Sequence, residues 1–243
     1  MAHGTPDYGR TNGTRTTYQI TDVGELAVRL GSPISHDRRG DVMWWDDFEC
    51  SLNKWVSGAV GAGSAVAIAT DKARNGQNSV LLTAGVGAGN SATIAHEQAI
   101  PVRSRLGFEF SLCPTGARDV VTVAVWQYDD PVLYIAQAKV DFLNGQLLVG
   151  NAAGGFDLVY TFPNGLVVSG NLFHTLKLVW DSSAHEHVRL IFDDLSFDVS
   201  GHLLYPFGVS IQFYISAQVA AVGNAVSATN VYIDDAILTQ NEV

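Results

Sequence analysis

From residue 42 onward, apolar side chains return at every second position in one short segment after another. VTVAVWQY (121–128), LYIAQAKVDF (133–142), QLLVGNA (146–152), HTLKLVWD (174–181), HVRLIFDD (187–194), LSFDVSG (195–201), VSIQFYISA (209–217) and NVYIDDAILTQ (230–240) all show it. That period constrains the backbone strongly. Side chains leave a strand on alternating sides, so one face can be buried while the other meets water. Turn-forming residues separate the segments: Asp129-Asp130-Pro131, Asn144-Gly145 and Pro163-Asn164-Gly165. Asn-Gly between two such runs marks a hairpin, because tight hairpin turns need positive φ. The chain therefore reads as all-β: a two-sheet antiparallel β-sandwich, a jelly-roll, of about 12–14 strands.

The length of 243 residues fits one large sandwich. A body of that size needs no disulfide to hold it. The glycine-rich pieces at 58–64 and 85–90 are too short for domain linkers and read as loops. The sandwich is assigned to 42–243 and an extended N-terminal arm to 1–41. Within the arm, DVGELAVRLG (22–31) reads as one short helix. Asp22 and Glu25 have capping-box spacing, Val23, Leu26 and Leu30 share a face, and Gly31 and Pro33 stop it. Two helical turns are unstable alone, so this face is expected to dock in an assembly, together with the basic Arg38 and Arg39.

Charged residues are 16% of the chain, against about 25% for typical soluble domains. The surface must therefore be neutral, as at interfaces or on Ser/Thr/Asn/Gly-covered sandwiches. A net charge of −10 argues against nucleic acid as a partner. No apolar run is long enough to form a membrane-spanning helix. Cys50 and Cys113 form no metal-ligand motif and read as buried thiols, with their pairing left open. In the segment around His185-Glu186-His187, two histidines at i and i+2 could share a metal, but no third ligand is visible. The expectation is a solvated hairpin tip, with three strands and two turns over 171–201.

An aromatic followed by His-x-Leu-Lys-Leu-Val-x-Asp (173–181), then Val-x-Leu-x-Phe-Asp-Asp (188–194) and Leu-x-Phe-Asp-Val-Ser-Gly (195–201), resembles the late strands of laminin-G-like and concanavalin A-like lectin/glucanase domains. WDDFECSLNKWV (45–56), TDKARNGQNSVLLTAG (70–85) and NVYIDDAILTQ are similar to the first strand, glycine turn and last strand of jelly-roll carbohydrate-binding modules. The second resemblance implies a structural calcium ion held where those pieces meet, by Asp47 and Glu49 of the first strand, Asp71 and Asn75 of the turn, and Asp234 and Asp235 of the last strand. No other cofactor is expected. Glucanases of this fold carry Glu-x-Asp-x-x-Glu on one strand. None of the six glutamates here forms it, and Glu109 reads as a lone, outward, solvated carboxylate. The chain is therefore expected not to be an enzyme. For glycan binding the candidates are Trp126 and Tyr128, which share a strand face, with Asp129 and Asp130 beside them. Tyr134, Tyr160, Tyr205 and Tyr214 are further aromatic candidates.

HGTPDYG, ELAVRLGSP, DRRG and DDFE…LNKW together resemble phage virion proteins. That resemblance implies a non-enzymatic jelly-roll subunit, a capsid or decoration component docking through its arm and self-associating as a homo-oligomer. It would act in a virion or a cytoplasmically assembled particle, or outside the cell if a leader has been removed. The alternatives are a lectin-like carbohydrate-binding module and, after it, a glycoside hydrolase or lyase of the same fold.

Overall fold

The computed structural model describes residues 10–12, 15–17, 39–99, 102–129, 131–209 and 213–243, with side chains from Arg39 onward except that of Phe213. The helix expected over 22–31, with Asp22, Val23, Leu26 and Leu30, lies outside the described residues, as do Arg38 and Asp130. A small hairpin pairs β1 (Arg10–Asn12) with β2 (Arg15–Thr17). The rest of the described chain forms two eight-stranded antiparallel sheets. The first runs β12 (Phe156–Thr161), β11 (Gln146–Gly150), β10 (Val132–Asp141), β9 (Val120–Asp129), β17 (Phe213–Val222), β7 (Ser91–Gln98), β4 (Val56–Val60). Beside β11, on the same edge of β10, lies β16 (Tyr205–Val209). The second sheet runs β15 (Leu195–Asp198), β14 (Glu186–Phe192), β13 (His174–Asp181), β8 (Arg105–Pro114), β18 (Thr229–Gln240), β6 (Ser79–Ala84), β5 (Ala65–Ala69), with β3 (Asp41–Asp46) also on β18.

The sandwich and the three strands over 171–201 match the sequence reading, but its strands exceed the expected count. Residues 56–60, read there as partly loop, form β4, because pairing with β7 gives even a glycine-containing segment a ladder. The first strand ends at Asp46, so Asp47 and Glu49 follow it rather than lie in it. Cys50 is exposed rather than buried, and only Cys113 is a buried thiol.

Volume complementarity joins the sheets into one core. The middle strands of the first sheet turn inward mostly small residues, Val121, Val123, Val125, Ala136, Ala138, Val140, Ala217 and Val219, with Ile94, Leu147 and Ile215 among them. The second meets them with Phe108, Phe110, Leu112, Leu176, Leu178, Trp180, Leu190 and Phe192. Sheets about 10 Å apart fill that space best when large side chains from one interdigitate with small ones from the other. In β18 the register slips by one residue between Asp234 and Ile237. Asp235 there has φ 49°. This bulge shifts the parity, so Val231 and Ile233 before it and Ala236 and Leu238 after it all reach the core, while both aspartates leave the core face.

One interruption is closed by a histidine. β16 pairs with β10 up to Ile135 and β11 pairs from Ala138, which leaves a gap at Ala136 and Gln137. The Gln137 backbone N–H donates to His187 Nε2 at 3.0 Å, and His187 Nδ1 lies 2.9 Å from the His202 carbonyl. A backbone N–H can only donate and a carbonyl can only accept, so the proton is on Nδ1 and the ring is neutral. The tip is therefore not solvated here: His187 is fully buried. Burial pushes its pKa down to about 4.

On unfolding, the imidazole returns to about 6.5, so the unfolded chain takes up a proton that the folded chain refuses. The stabilising contribution is complete above about pH 6.5 and falls by about 3 kcal/mol as the pH drops towards 4. Urea unfolding across that interval should show this slope as the difference between wild type and His187→Leu. The variant should start about 1–3 kcal/mol lower at neutral pH, because the Gln137 N–H loses its acceptor. Parallel curves for the two proteins would contradict the assignment.

Candidate functional site

Strand alternation builds an aromatic ledge on the outer face of the first sheet. Along β9, Val121, Val123, Val125, Gln127 and Asp129 face inward, which leaves Thr122, Ala124, Trp126 and Tyr128 outward. Across β17, Tyr128 stands opposite Tyr214 and Trp126 opposite Ser216. Tyr128 and Tyr214 stack with ring centroids 4.1 Å apart and planes 16° from parallel. Trp126 lies 6.4 Å from Tyr128 and 5.4 Å from Phe207, which in turn lies 5.8 Å from Tyr205. The register shift between β10 and β16 around Leu133 and Tyr134 accommodates Phe207. These five rings form one ledge, with Phe207 53% exposed and the others partly so. Leu133 and Ile135 point to the same side, opposite Tyr128 and Trp126, yet are buried, so the rings cover them.

Polar groups continue the face from the ledge towards its middle. Gln137 and Lys139 follow on β10, Ser216 and Gln218 on β17, and Glu97 stands opposite Ser216 on β7. Gln218 Nε2 donates to Ser216 Oγ at 3.2 Å, and Lys139 Nζ sits 4.8 Å above the Phe156 ring. Burial first, then the hydrogen bond with Tyr214 and the nearby Glu97, raise the Tyr128 hydroxyl well above the usual phenol range. It therefore stays a neutral hydroxyl. Flat apolar rings beside amides, hydroxyls and one charge of each sign suit a ligand with an apolar face and a rim of hydroxyls.

Asp129 does not join Trp126 and Tyr128. One step of alternation turns it to the opposite side, where it is buried and ion-paired with Arg103. Its other oxygen takes His185 Nε2 at 3.1 Å and Gln127 Nε2 at 3.4 Å. Gln127 also donates to the Ser182 carbonyl and accepts from the Trp180 indole. His185, read from sequence as solvated, stacks on Tyr134 with centroids 3.7 Å apart. Tyr134 is thereby turned away from the ledge. Together with Ala152, Ala184, Leu203, Leu204 and Pro206, these two rings line a cleft of about 300 Å³. Tyr160 packs against Phe162 and Phe197. Nothing in the local pattern marks His185 or His187, because their partners lie 15 to 56 residues away in sequence.

The six proposed calcium ligands are only partly brought together. Asn75 Nδ2 donates to Asp235 at 2.6 Å, and the Arg74 and Asn75 backbone N–H groups donate to Asp234 at 2.7 and 3.3 Å. The Arg74 guanidinium reaches Asp235 at 3.5 Å and Ser111 at 2.6 Å. Burial, then the neighbouring Asp235, push Asp234 up to about 7. Glu49 instead accepts from the backbone N–H groups of Gln77 and Asn78. Asp47 accepts from the Glu49 N–H, and Asp71 from the Tyr232 hydroxyl. Among the described residues no group of three or more His, Cys, Asp or Glu is placed to hold a metal ion.

Glu109 is not solvated. It lies buried on the outer side of the second sheet, 3.8 Å from Lys177 Nζ. The ammonium also meets Glu242 at 2.7 Å and the Arg39 carbonyl at 3.3 Å. Glu242 further holds Arg189 and Thr239. A Cβ at Gly107 would stand 2.5 Å from Thr239 Oγ1 and 3.0 Å from Lys177 Cε, so only glycine fits beneath this network. Breaking a buried ion pair from one side is costly, because the remaining charges stay buried. Lys177→Met should lower stability by about 3–5 kcal/mol in urea unfolding. A loss under 1 kcal/mol would mean the network is wet.

No family model matches the chain, and no curated relative does. Solved structures do match it. A fungal endo-β-1,4-glucuronan lyase from Trichoderma reesei aligns at 13% identity with a TM-score of 0.56, over 82% of this chain and 96% of its own. The Emp46p carbohydrate recognition domain aligns at 10% identity and 0.50, over 82% and 93%. Lectin I-B4 from Griffonia simplicifolia aligns at 11% identity and 0.50, over 80% and 97%. The structural neighbours are thus concanavalin A-like jelly-roll lectins and glycan-active enzymes. At these identities they define the fold, an all-β jelly-roll sandwich, and not the activity.

Proposed function

We propose that this chain is a non-catalytic, lectin-like glycan-binding sandwich that seats sugar rings on the ledge of Tyr205, Phe207, Trp126, Tyr128 and Tyr214. The observation that carries this reading is the ledge itself, five partly exposed rings on one sheet face with Gln137, Gln218, Lys139 and Glu97 alongside. An apolar sugar face stacks on the rings while its hydroxyls exchange hydrogen bonds with the amides and charges. Fold neighbours whose names include a carbohydrate recognition domain and a lectin support it by analogy. The non-catalytic part is supported by Glu109 and Glu242, both buried against Lys177 rather than presented to a ligand. The alternative of a particle subunit docking through residues 1–41 rests mostly on residues outside those described, and the comparisons lend it no support.

A glycan array followed by titration calorimetry on the best ligand tests the proposal. Trp126→Ala and Tyr128→Ala should each weaken binding at least tenfold, about 1.4 kcal/mol, at a temperature where circular dichroism shows both variants folded. Binding that survives both substitutions, or an array without a hit, would overturn it. Depolymerisation of a bound polysaccharide would instead favour the enzyme reading.

A further inference from the structure

Exposed sheet edges invite pairing by other strands, and most edges here are protected against it. β12 carries Asp157, β15 carries Asp198, β16 carries Pro206 and β3 carries Asp41. Charges and proline on an edge discourage strand addition. The β4 and β5 edges lack any such device. Residues 56–69, VSGAVGAGSAVAIA, contain no charged residue and no proline. Among the described residues β4 pairs only with β7, and β5 only with β6. All five residues of β4 are exposed, Val56 at 60% and Val60 at 59%, and Ile68 of β5 is exposed too. The two strands lie on the same side of the sandwich, one at the edge of each sheet.

Both strands also read nearly the same in either direction. VSGAV is symmetric in size about Gly58, and AVAIA about Ala67. The turn between them is closed by the Ser64 N–H to the Gly61 carbonyl at 3.2 Å and by Ser64 Oγ to the Val60 carbonyl at 2.7 Å. Gly58 precedes this turn by as many residues as Ala67 follows it, so the two centres stand at the same height on the edge. We propose that a second copy of this chain docks here, about a two-fold axis running across both sheets past Gly58 and Ala67. Each sheet then continues into its counterpart through an antiparallel strand pair.

About a two-fold axis every contact is made twice, residue i of one copy meeting j of the other and j meeting i, and only the central residue meets its own mate. Val56 would meet Val60 of the other copy, Ser57 would meet Ala59, and Val66 would meet Ile68. Like charges set opposite one another across the axis would repel. An edge without charge avoids that repulsion in a chain of net charge −10. The axis crosses the sheets, so it keeps the two outer faces of the first sheet on one side of the dimer. Both aromatic ledges would face the same way and could engage one multivalent glycan. That consequence rests on the glycan reading; the dimer does not.

Light scattering of the full-length protein at tens of micromolar should give the mass of a dimer. Val56→Lys with Val60→Lys should give a monomer with an unchanged circular dichroism spectrum, because both positions are solvent-exposed. Val56→Lys with Val60→Glu sets unlike charges opposite one another and should restore the dimer. In a Cys50→Ser background, Gly58→Cys should cross-link two copies in air. The glycine has open space around it. Opposed Cα atoms in an antiparallel pair stand about 4.5–5.5 Å apart, within disulfide reach. A monomeric wild-type protein overturns the proposal, and so does a dimer indifferent to the double-lysine change. Mass is read without any glycan, so a failed array leaves this result intact.

Discussion

The packing of valines and alanines from one sheet against phenylalanines, leucines and Trp180 from the other is the constraint on which the rest of the structure depends. It settles which face of each strand is inside. Once Val121, Val123 and Val125 are committed to the core, Trp126 and Tyr128 have only the outer face left to them. The ledge is thus a consequence of core packing, delivered by strand parity. The same parity takes Asp129 away from the rings and into contact with Arg103 and His185.

Polar groups that leave the core face without reaching water are satisfied by partners from distant strands. His187 fills the place of a missing ladder bond at Gln137. Lys177 and Arg189 face Glu109 and Glu242, and Arg74 and Asn75 hold the aspartate pair at the β18 bulge. Each arrangement meets the demand that buried donors and acceptors be paired. They also lower the surface charge further: several of the chain's few charged side chains are buried inside the molecule. On the β4 and β5 edge neutrality coincides with unprotected strands, which is where the proposed second copy would dock. The ledge lies on the outer face of the first sheet across β16, β9 and β17, inside that edge. Binding and self-association would therefore use different parts of the same sheet and need not compete.

Much of the fold was legible. The alternation in VTVAVWQY and HTLKLVWD gave the strands and the residues that share a face, and Asn144-Gly145 marked a real turn. That Trp126 and Tyr128 share one face was also readable, because parity is local, but that the face is the outer one was not. Three things were not. β4 looked like loop, since glycine content is local evidence while the β7 ladder that stabilises it is distant. The rings that complete the ledge come from β16 and β17, far along the chain. His185, His187 and Glu109 looked solvated because their partners lie on other strands.

The sequence by itself determined the all-β class, the strand faces and the scarcity of surface charge, all of which follow from the order and polarity of neighbouring residues. The tertiary structure alone decided which strands became edges, which rings met across β9, β16 and β17, and which charged groups were buried in pairs. Those outcomes depend on contacts between residues distant in the chain, and no local period encodes them.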